Sequence, residues 1–72
     1  MKLTDAKVDE KLEVVQLEDS SEYQAKLSAM GFVEGCEVCP LHKNDNTMLV
    51  QIKGCRYALG KEAAECILVK RL

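Results

Sequence analysis

Four cysteines and one histidine are the residues of this 72-residue chain whose side chains could bind a metal ion or act as nucleophiles. Cys36 and Cys39 have the Cys-x-x-Cys spacing, and Cys55 and Cys66 follow. Four thiolates could hold zinc or iron in a tetrahedral arrangement. In metal knuckles, however, such a pair lies in a turn. Residues 36–42 are instead predicted as a strand, in which positions three apart point to opposite faces.

The alternative is that the cysteines are reduced structural residues, because free cysteine is among the most buried residue types. The second pair is separated by eleven positions, which is not the spacing of a knuckle. Disulfides are rare in cytoplasmic proteins. The sequence therefore predicts no metal site and no cofactor. The only candidate ligands are Cys36, Cys39, Cys55 and Cys66.

The single histidine, His42, lies beside a polar turn at residues 43–47 and is predicted to be on the surface. A nucleophilic pair of Cys39 and His42 would need an orienting group and a pocket, and a chain of this size has a thin core. The sequence contains no Ser-His-Asp order, phosphate-binding glycine loop or paired-carboxylate signature. We therefore predict that the protein is not an enzyme.

Charge and hydropathy exclude two classes of partner. Ten Lys and Arg and twelve Asp and Glu give a formal charge of −2, and the basic residues are scattered among acids. Nucleic-acid binders usually carry a basic stripe, so we predict no nucleic-acid binding. No apolar run approaches the ~20 residues of a membrane span, and residues 1–7 lack the apolar stretch of a secretory signal. A cytoplasmic protein without direct membrane insertion is expected.

Five short strands and one clear helix would position these residues. Met48, Val50 and Ile52 alternate with more polar residues, which is typical of a half-buried strand. Pro40 cannot donate to a ladder, so its strand is predicted to lie at an edge or to bulge there. The strands are predicted at residues 11–17, 36–42, 48–53, 56–59 and 67–70, with a helical turn at 62–65.

The helix is predicted over residues 22–30. Ser21 and Gln24 have the spacing of a capping box, and Gly31 follows where a left-handed residue commonly ends a helix. One apolar stripe at helical spacing comprises Tyr23, Leu27 and Met30. Together the elements predict one mainly β domain, residues 1–72, with one or two short helices in a small closed or partly open barrel.

Four segments of the chain, in this order, carry a resemblance to a known family. They are Leu-Thr-Asp-Ala at 3–6, Leu-Ser-Ala-Met-Gly-Phe-Val-Glu-Gly at 27–35, Gly-Cys-Arg-Tyr-Ala-Leu at 54–59, and Ala-Ala-Glu-Cys-Ile-Leu-Val at 63–69. Over essentially its whole length the chain resembles the FeoA family of ferrous iron transport accessory proteins. Glu34 stands where many members have Pro, and Asp9 and Glu10 occupy an early turn where Gly is frequent.

The resemblance implies an SH3-like β-barrel that acts in the cytoplasm. Its implied partner is FeoB, a membrane ferrous iron transporter with a GTP-binding domain, which the protein would bind and regulate. It would reach the inner face of the membrane only through that partner. The same barrel resembles the C-terminal domain of iron-dependent repressors. The alternative is therefore a metal-responsive regulatory domain.

A partner-binding surface is predicted from apolar residues near turns or on the second face of a hairpin, since an exposed apolar patch marks an interface. For each of these residues, packing inside the barrel is an equal alternative. The candidate interface residues are Phe32, Val33, Met48 and Leu49.

Overall fold

A computed structural model describes residues 1–18 and 22–72, which contain five strands and two short helices. After a 3₁₀ turn at Leu3–Asp5, the elements are β1 (Leu12–Leu17), α1 (Gln24–Met30), β2 (Glu37–Lys43), β3 (Thr47–Ile52), β4 (Cys55–Gly60), α2 (Lys61–Glu65) and β5 (Ile67–Arg71). Every predicted strand is confirmed with its boundaries shifted by at most one residue. The helix begins at Gln24 rather than at residue 22, and the predicted cap Ser21 lies outside the described residues. No helix in the described ranges is long and apolar enough to span a bilayer.

The strands form one antiparallel sheet in the order β4-β3-β2-β1-β5. The mainly β class is confirmed, but the sheet is not closed into a barrel, because its edge strands β4 and β5 do not pair with each other. The first residues of the chain pair with the outer edge of β5. Lys2 forms a β-bridge with Leu68, and the Val69 amide donates to the Met1 carbonyl at 2.7 Å. Helix α2 connects the two edge strands.

The core lies on one face of this sheet. Met48, Val50 and Ile52 are all buried, as their alternation predicts. In α1, Leu27 is buried, and Tyr23 and Met30 pack against the core as half-buried residues. The buried apolar residues are Leu3, Ala6, Leu12, Val14, Leu27, Phe32, Val38, Met48, Val50, Ile52, Leu59, Ala64, Ile67 and Val69.

Helix α1 ends in a Schellman motif that buries the only phenylalanine. Gly31 has φ +108°, a left-handed conformation that glycine adopts at little cost. The Gly31 amide donates to the Ser28 carbonyl at 3.1 Å, and the Phe32 amide donates to the Leu27 carbonyl at 3.0 Å. This turn directs Phe32 inward beside Leu27, which is the apolar contact that accompanies such motifs. Its ring also lies 6.0 Å from that of Tyr57 in a tilted arrangement.

A bulge accommodates Pro40 in the central strand β2. The register against β3 shifts between Pro40 and His42, so one extra residue stands on β2. The Pro40 carbonyl accepts a hydrogen bond from the Asp9 amide at 2.7 Å. Asp9 has φ +67°, a conformation in which Asp is better tolerated than most residues. The predicted bulge is therefore confirmed, and the turn that contacts it holds Asp9 in a left-handed conformation.

Replacing Phe32 by Ala is expected to remove a large part of the free energy of unfolding. Phe32 is fully buried, and truncating a buried Phe costs about 3–5 kcal/mol. Typical stability per residue gives a chain of this length only about 4–11 kcal/mol in total. Urea denaturation followed by circular dichroism measures the loss. The matched control is Val33→Ala, which truncates the 40% exposed neighbour and is expected to change stability little. Similar losses for both variants would contradict the packing described.

A pH-dependent contribution to stability is expected from Glu10. Its carboxylate accepts a hydrogen bond from the Lys7 amide at 3.1 Å and pairs with Arg71, and these contacts lower the pKa of Glu10 below 4.5. A carboxylate whose pKa is lower in the folded than in the unfolded state stabilises the fold at pH values above its unfolded pKa. This contribution is lost as the pH falls through the folded pKa. Glu10→Gln should therefore lower the melting temperature slightly near pH 7 and progressively less as pH falls below the unfolded value of about 4.3.

The control for this measurement is Glu34→Gln, which changes an exposed residue that forms no hydrogen bond or ion pair with the other described residues. It should leave the melting temperature unchanged at both pH values. An equal effect of Glu10→Gln at neutral and acidic pH would contradict the role of its charge.

Candidate partner-binding groove

The structure places the four cysteines in three different parts of the fold. Cys36 and Cys39 are half-buried beside one cavity of about 450 Å³. Cys55 is exposed at the start of β4, and Cys66 follows α2, with its thiol 3.3 Å from the Glu62 carbonyl. Among residues 1–18 and 22–72, no group of three or more His, Cys, Asp or Glu side chains is placed to hold a metal ion. The absence of a metal site stays a prediction.

Cys36 and Cys39 both line this cavity, although the sequence places them on opposite faces of a strand. Cys36 packs against the core just before β2 begins at Glu37, whereas Cys39 lies between the buried Val38 and Pro40 and so on the other face of that strand. The expectation about the two faces therefore stays a prediction. His42 is exposed, as predicted.

The four candidate interface residues do not share one environment. Phe32 is fully buried and Met48 is 3% exposed, so both belong to the core, which is the alternative weighed for them. Val33 is exposed, and Leu49 is half-buried on the other face of β3 from Met48. A continuous surface patch of all four residues is therefore excluded by the burial of two of them.

A different apolar surface lies between helix α1 and the edge strand β4. We call this cavity of about 450 Å³ the α1–β4 groove; α2 and Asn46 complete its walls. The apolar floor of the groove consists of Met30 and Ala63, which are half-buried, and Ala58, which is exposed, together with the buried Leu27 and Leu59. The partly exposed members of this set can contact side chains of a ligand or partner.

The wall contributed by α1 follows from helical spacing. Lys26 and Leu27 each lie three or four positions from both Tyr23, the residue before α1, and Met30, so all four share one side of the helix. The Tyr23 hydroxyl donates to a Glu62 carboxylate oxygen at 3.2 Å and thereby joins α1 to α2. This hydrogen bond to a negative acceptor raises the pKa of Tyr23, with the nearby charge of Glu62 acting in the same direction.

The rim of the groove is basic. Lys26 and Lys61 both line it and are exposed. In the described part of the chain the ion pairs join Lys70 to Glu13 and Arg71 to Glu10, so neither groove lysine has an acidic partner there. Among the described lining residues the one acid is Glu62, which already accepts a hydrogen bond from the Tyr23 hydroxyl. The groove therefore offers a ligand an apolar floor and two lysines that have no ion-pair partner among the described residues.

The described lining contains no cysteine, histidine or serine; its polar side chains are Tyr23, Lys26, Asn46, Lys61 and Glu62. Sequence reasoning missed the groove because its walls come from residues 23–30 and 58–63, which are distant in the chain. One signal was present: Ala58 is a small residue at a strand position that alternation places on the surface.

Comparisons with known proteins agree on one family. The family model described as FeoA domain matches residues 1–71. A search of curated protein sequences finds no match.

Solved structures of FeoA proteins have the same fold. A FeoA-like protein from Clostridium acetobutylicum is 26% identical, with a TM-score of 0.91 over 100% of this chain and 86% of that one. A crystal structure described as iron uptake regulatory protein (FeoA) is 25% identical, with a TM-score of 0.91 over 100% and 97%. FeoA from Stenotrophomonas maltophilia, a prokaryotic SH3 domain protein complexed with zinc, is 28% identical, with a TM-score of 0.85 over 97% and 89%.

A manganese-dependent transcriptional repressor has a TM-score of 0.93, but it is 20% identical and only 36% of its chain is covered, so this likeness concerns the fold alone. The family match, in contrast, spans nearly every residue of the sequence. The order of segments, the open SH3-like sheet and the family match agree: the chain belongs to the FeoA family, whose members are associated with ferrous iron transport.

Proposed function

We propose that this protein is a cytoplasmic accessory of ferrous iron transport, which binds the cytoplasmic part of a FeoB-type transporter and regulates it. Membership of the FeoA family supports the link to iron transport. The observation that carries a binding role is the α1–β4 groove, with its apolar floor and unpaired lysines. Neither observation requires a covalent step.

Regulation follows from docking if the protein binds one conformation of the transporter more tightly than another. A ligand shifts an equilibrium between two states only by its difference in affinity for them. A small protein can supply this difference by placing an apolar side chain of the transporter in the groove in one state only. The proposal therefore needs reversible binding and no cofactor.

Val33 and Leu49 remain candidate contacts outside the groove. Val33 is exposed in the turn after α1, and Leu49 is half-buried on the outer face of the sheet. Phe32 and Met48 are not proposed as contacts, because burial makes them unavailable to a partner in the folded chain.

An NMR titration of the labelled, reduced protein with the soluble GTP-binding domain of its cognate transporter tests the proposal. Shifts are expected at amides around the groove, since its lining residues would change environment. Lys61→Glu should weaken binding about fivefold or more, because it reverses a charge on the rim. No shifts with any cytoplasmic part of the transporter at high concentration would count against the proposed function.

The matched control is Lys11→Glu, which makes the same charge change at an exposed lysine that lines another cavity. It should bind like the unmodified protein. Equal weakening by both variants would indicate that net charge, and not the groove, determines binding.

The second candidate function is a metal-responsive regulatory domain. It is favoured by one observation, that Cys36 and Cys39 line the same cavity, together with the zinc bound by the Stenotrophomonas relative. Against it, Glu37 lines the same cavity, but no group of three or more His, Cys, Asp or Glu side chains in the described residues is placed to hold a metal ion. A structural zinc site uses four ligands, so we do not expect this pair to hold zinc tightly.

Elemental analysis of the purified, reduced protein is expected to find no stoichiometric zinc. The control is the double variant Cys36→Ser, Cys39→Ser, which should give the same low zinc content and the same melting temperature after zinc addition. One zinc per chain in the unmodified protein, lost in the double variant, would overturn this expectation and favour the regulatory function.

A further inference from the structure

We propose that the outer edge of β4 takes up an extended segment of a partner protein as an added strand, with acidic side chains of that segment on the basic rim of the α1–β4 groove. This deepens the proposed docking function by specifying the conformation and the charge of the docked segment. The inference depends on the proposed function in one respect, namely that the partner is a protein.

The turn before β4 determines which backbone groups face outward. Lys53 and Gly54 have φ +51° and +78°, the signature of a type I′ turn. In such a two-residue hairpin the flanking residues, Ile52 and Cys55, form a hydrogen-bonded pair, and hydrogen-bonded pairs then alternate along the ladder. Arg56 and Ala58 therefore belong to non-hydrogen-bonded pairs. Their amide and carbonyl groups point away from β3.

These outward groups lack partners in the described structure. The backbone hydrogen bonds outside the regular elements include none from Arg56 or Ala58. The opposite edge of the sheet differs, since Met1 and Lys2 pair with β5 there. An edge with unpaired groups is a ready template for another strand, and strand addition is an established way of binding extended peptides.

Side chains along the edge leave room for a second backbone. Tyr57 and Leu59 face the core, and the exposed alternate positions carry Arg56, Ala58 and Gly60. Ala58 and Gly60 also line the α1–β4 groove. A strand paired with Ala58 would therefore place every second side chain at the groove, where the floor is apolar.

Charge complementarity identifies the partner as acidic. Lys26 and Lys61 stand on the groove rim, and Arg56 projects from the strand two residues before Ala58. None of the three forms an ion pair within the described residues. The whole chain carries a formal charge of −2, so these cations at one edge are a local departure from its average. Carboxylates on the added strand would pair with them.

A short, end-capped synthetic peptide in which valine or leucine alternates with glutamate tests the proposal. Added to the labelled protein, it is expected to shift the amides of β4 and of the groove and to slow hydrogen exchange at Arg56 and Ala58. The same peptide with lysine in place of glutamate should bind at least about fivefold more weakly.

The decisive variant is Ala58→Pro. Proline removes the outward amide and is tolerated at an edge whose amide faces solvent, so pairing with β3 should remain. Affinity for the acidic peptide should fall about tenfold or more, since one interstrand hydrogen bond is lost and the approach is blocked. The matched control Ala58→Ser keeps the amide and should bind within about twofold of the unmodified protein.

A second variant keeps the test decisive if Ala58→Pro fails to fold, which its NMR spectrum would show. Arg56→Glu leaves the backbone intact and should weaken binding of the acidic peptide while strengthening that of the basic one. No binding of the acidic peptide, protection of amides elsewhere, or equal binding to Ala58→Pro would overturn the proposal. So would self-association through β4, seen by sedimentation as a dimer without peptide.

The peptide contains no transporter sequence, so its failure and the failure of the proposed function are distinguishable. If the transporter domain binds the protein but not at β4, the proposed function stands and the edge proposal falls. If the peptide binds as expected and no part of the transporter does, the edge proposal stands and its natural partner is another protein.

Discussion

The turn that ends α1 is the constraint on which the rest of the structure depends. A helix of seven residues with one fully buried side chain is too short to be stable alone. The left-handed Gly31 directs Phe32 into the core against Leu27 and Tyr57, and this contact attaches the helix to the sheet. Because α1 forms one wall of the α1–β4 groove, the same turn also determines where that groove lies.

The two edges of the open sheet have different physical roles. At the β5 edge, Met1 and Lys2 pair with Leu68 and Val69, so backbone groups of β5 find partners within the chain. Within residues 1–18 and 22–72 the β4 edge has no such cover, and beside it lie an apolar floor and lysines with no ion-pair partner in those ranges. A barrel closed by pairing β4 with β5 would have removed this edge. The failure to close is therefore what makes the surface available to a partner, and it ties the fold to the accessory role that we propose.

The fold was largely predictable from local patterns, and the interface was not. Alternation at Met48, Val50 and Ile52 identified a core face correctly. Hydrophobic periodicity shows that the two faces of a strand or helix differ in polarity. Near a turn it does not show which residue is buried. Hence Phe32 and Met48 were taken for possible surface residues, and the structure buries both. The strand after Gly35 was predicted to begin at Cys36 and begins one residue later, at Glu37.

By itself the sequence determined the strands, the helix end at Gly31, the bulge at Pro40 and, through the order of its segments, the FeoA family. These depend on interactions between near neighbours: turn conformations, capping hydrogen bonds and side-chain alternation. Only the tertiary structure decided that the sheet stays open and that Lys26, Ala58 and Lys61 meet around one groove. That outcome depends on which distant strands pair, and pairing is settled by the packing of the whole core rather than by any local pattern.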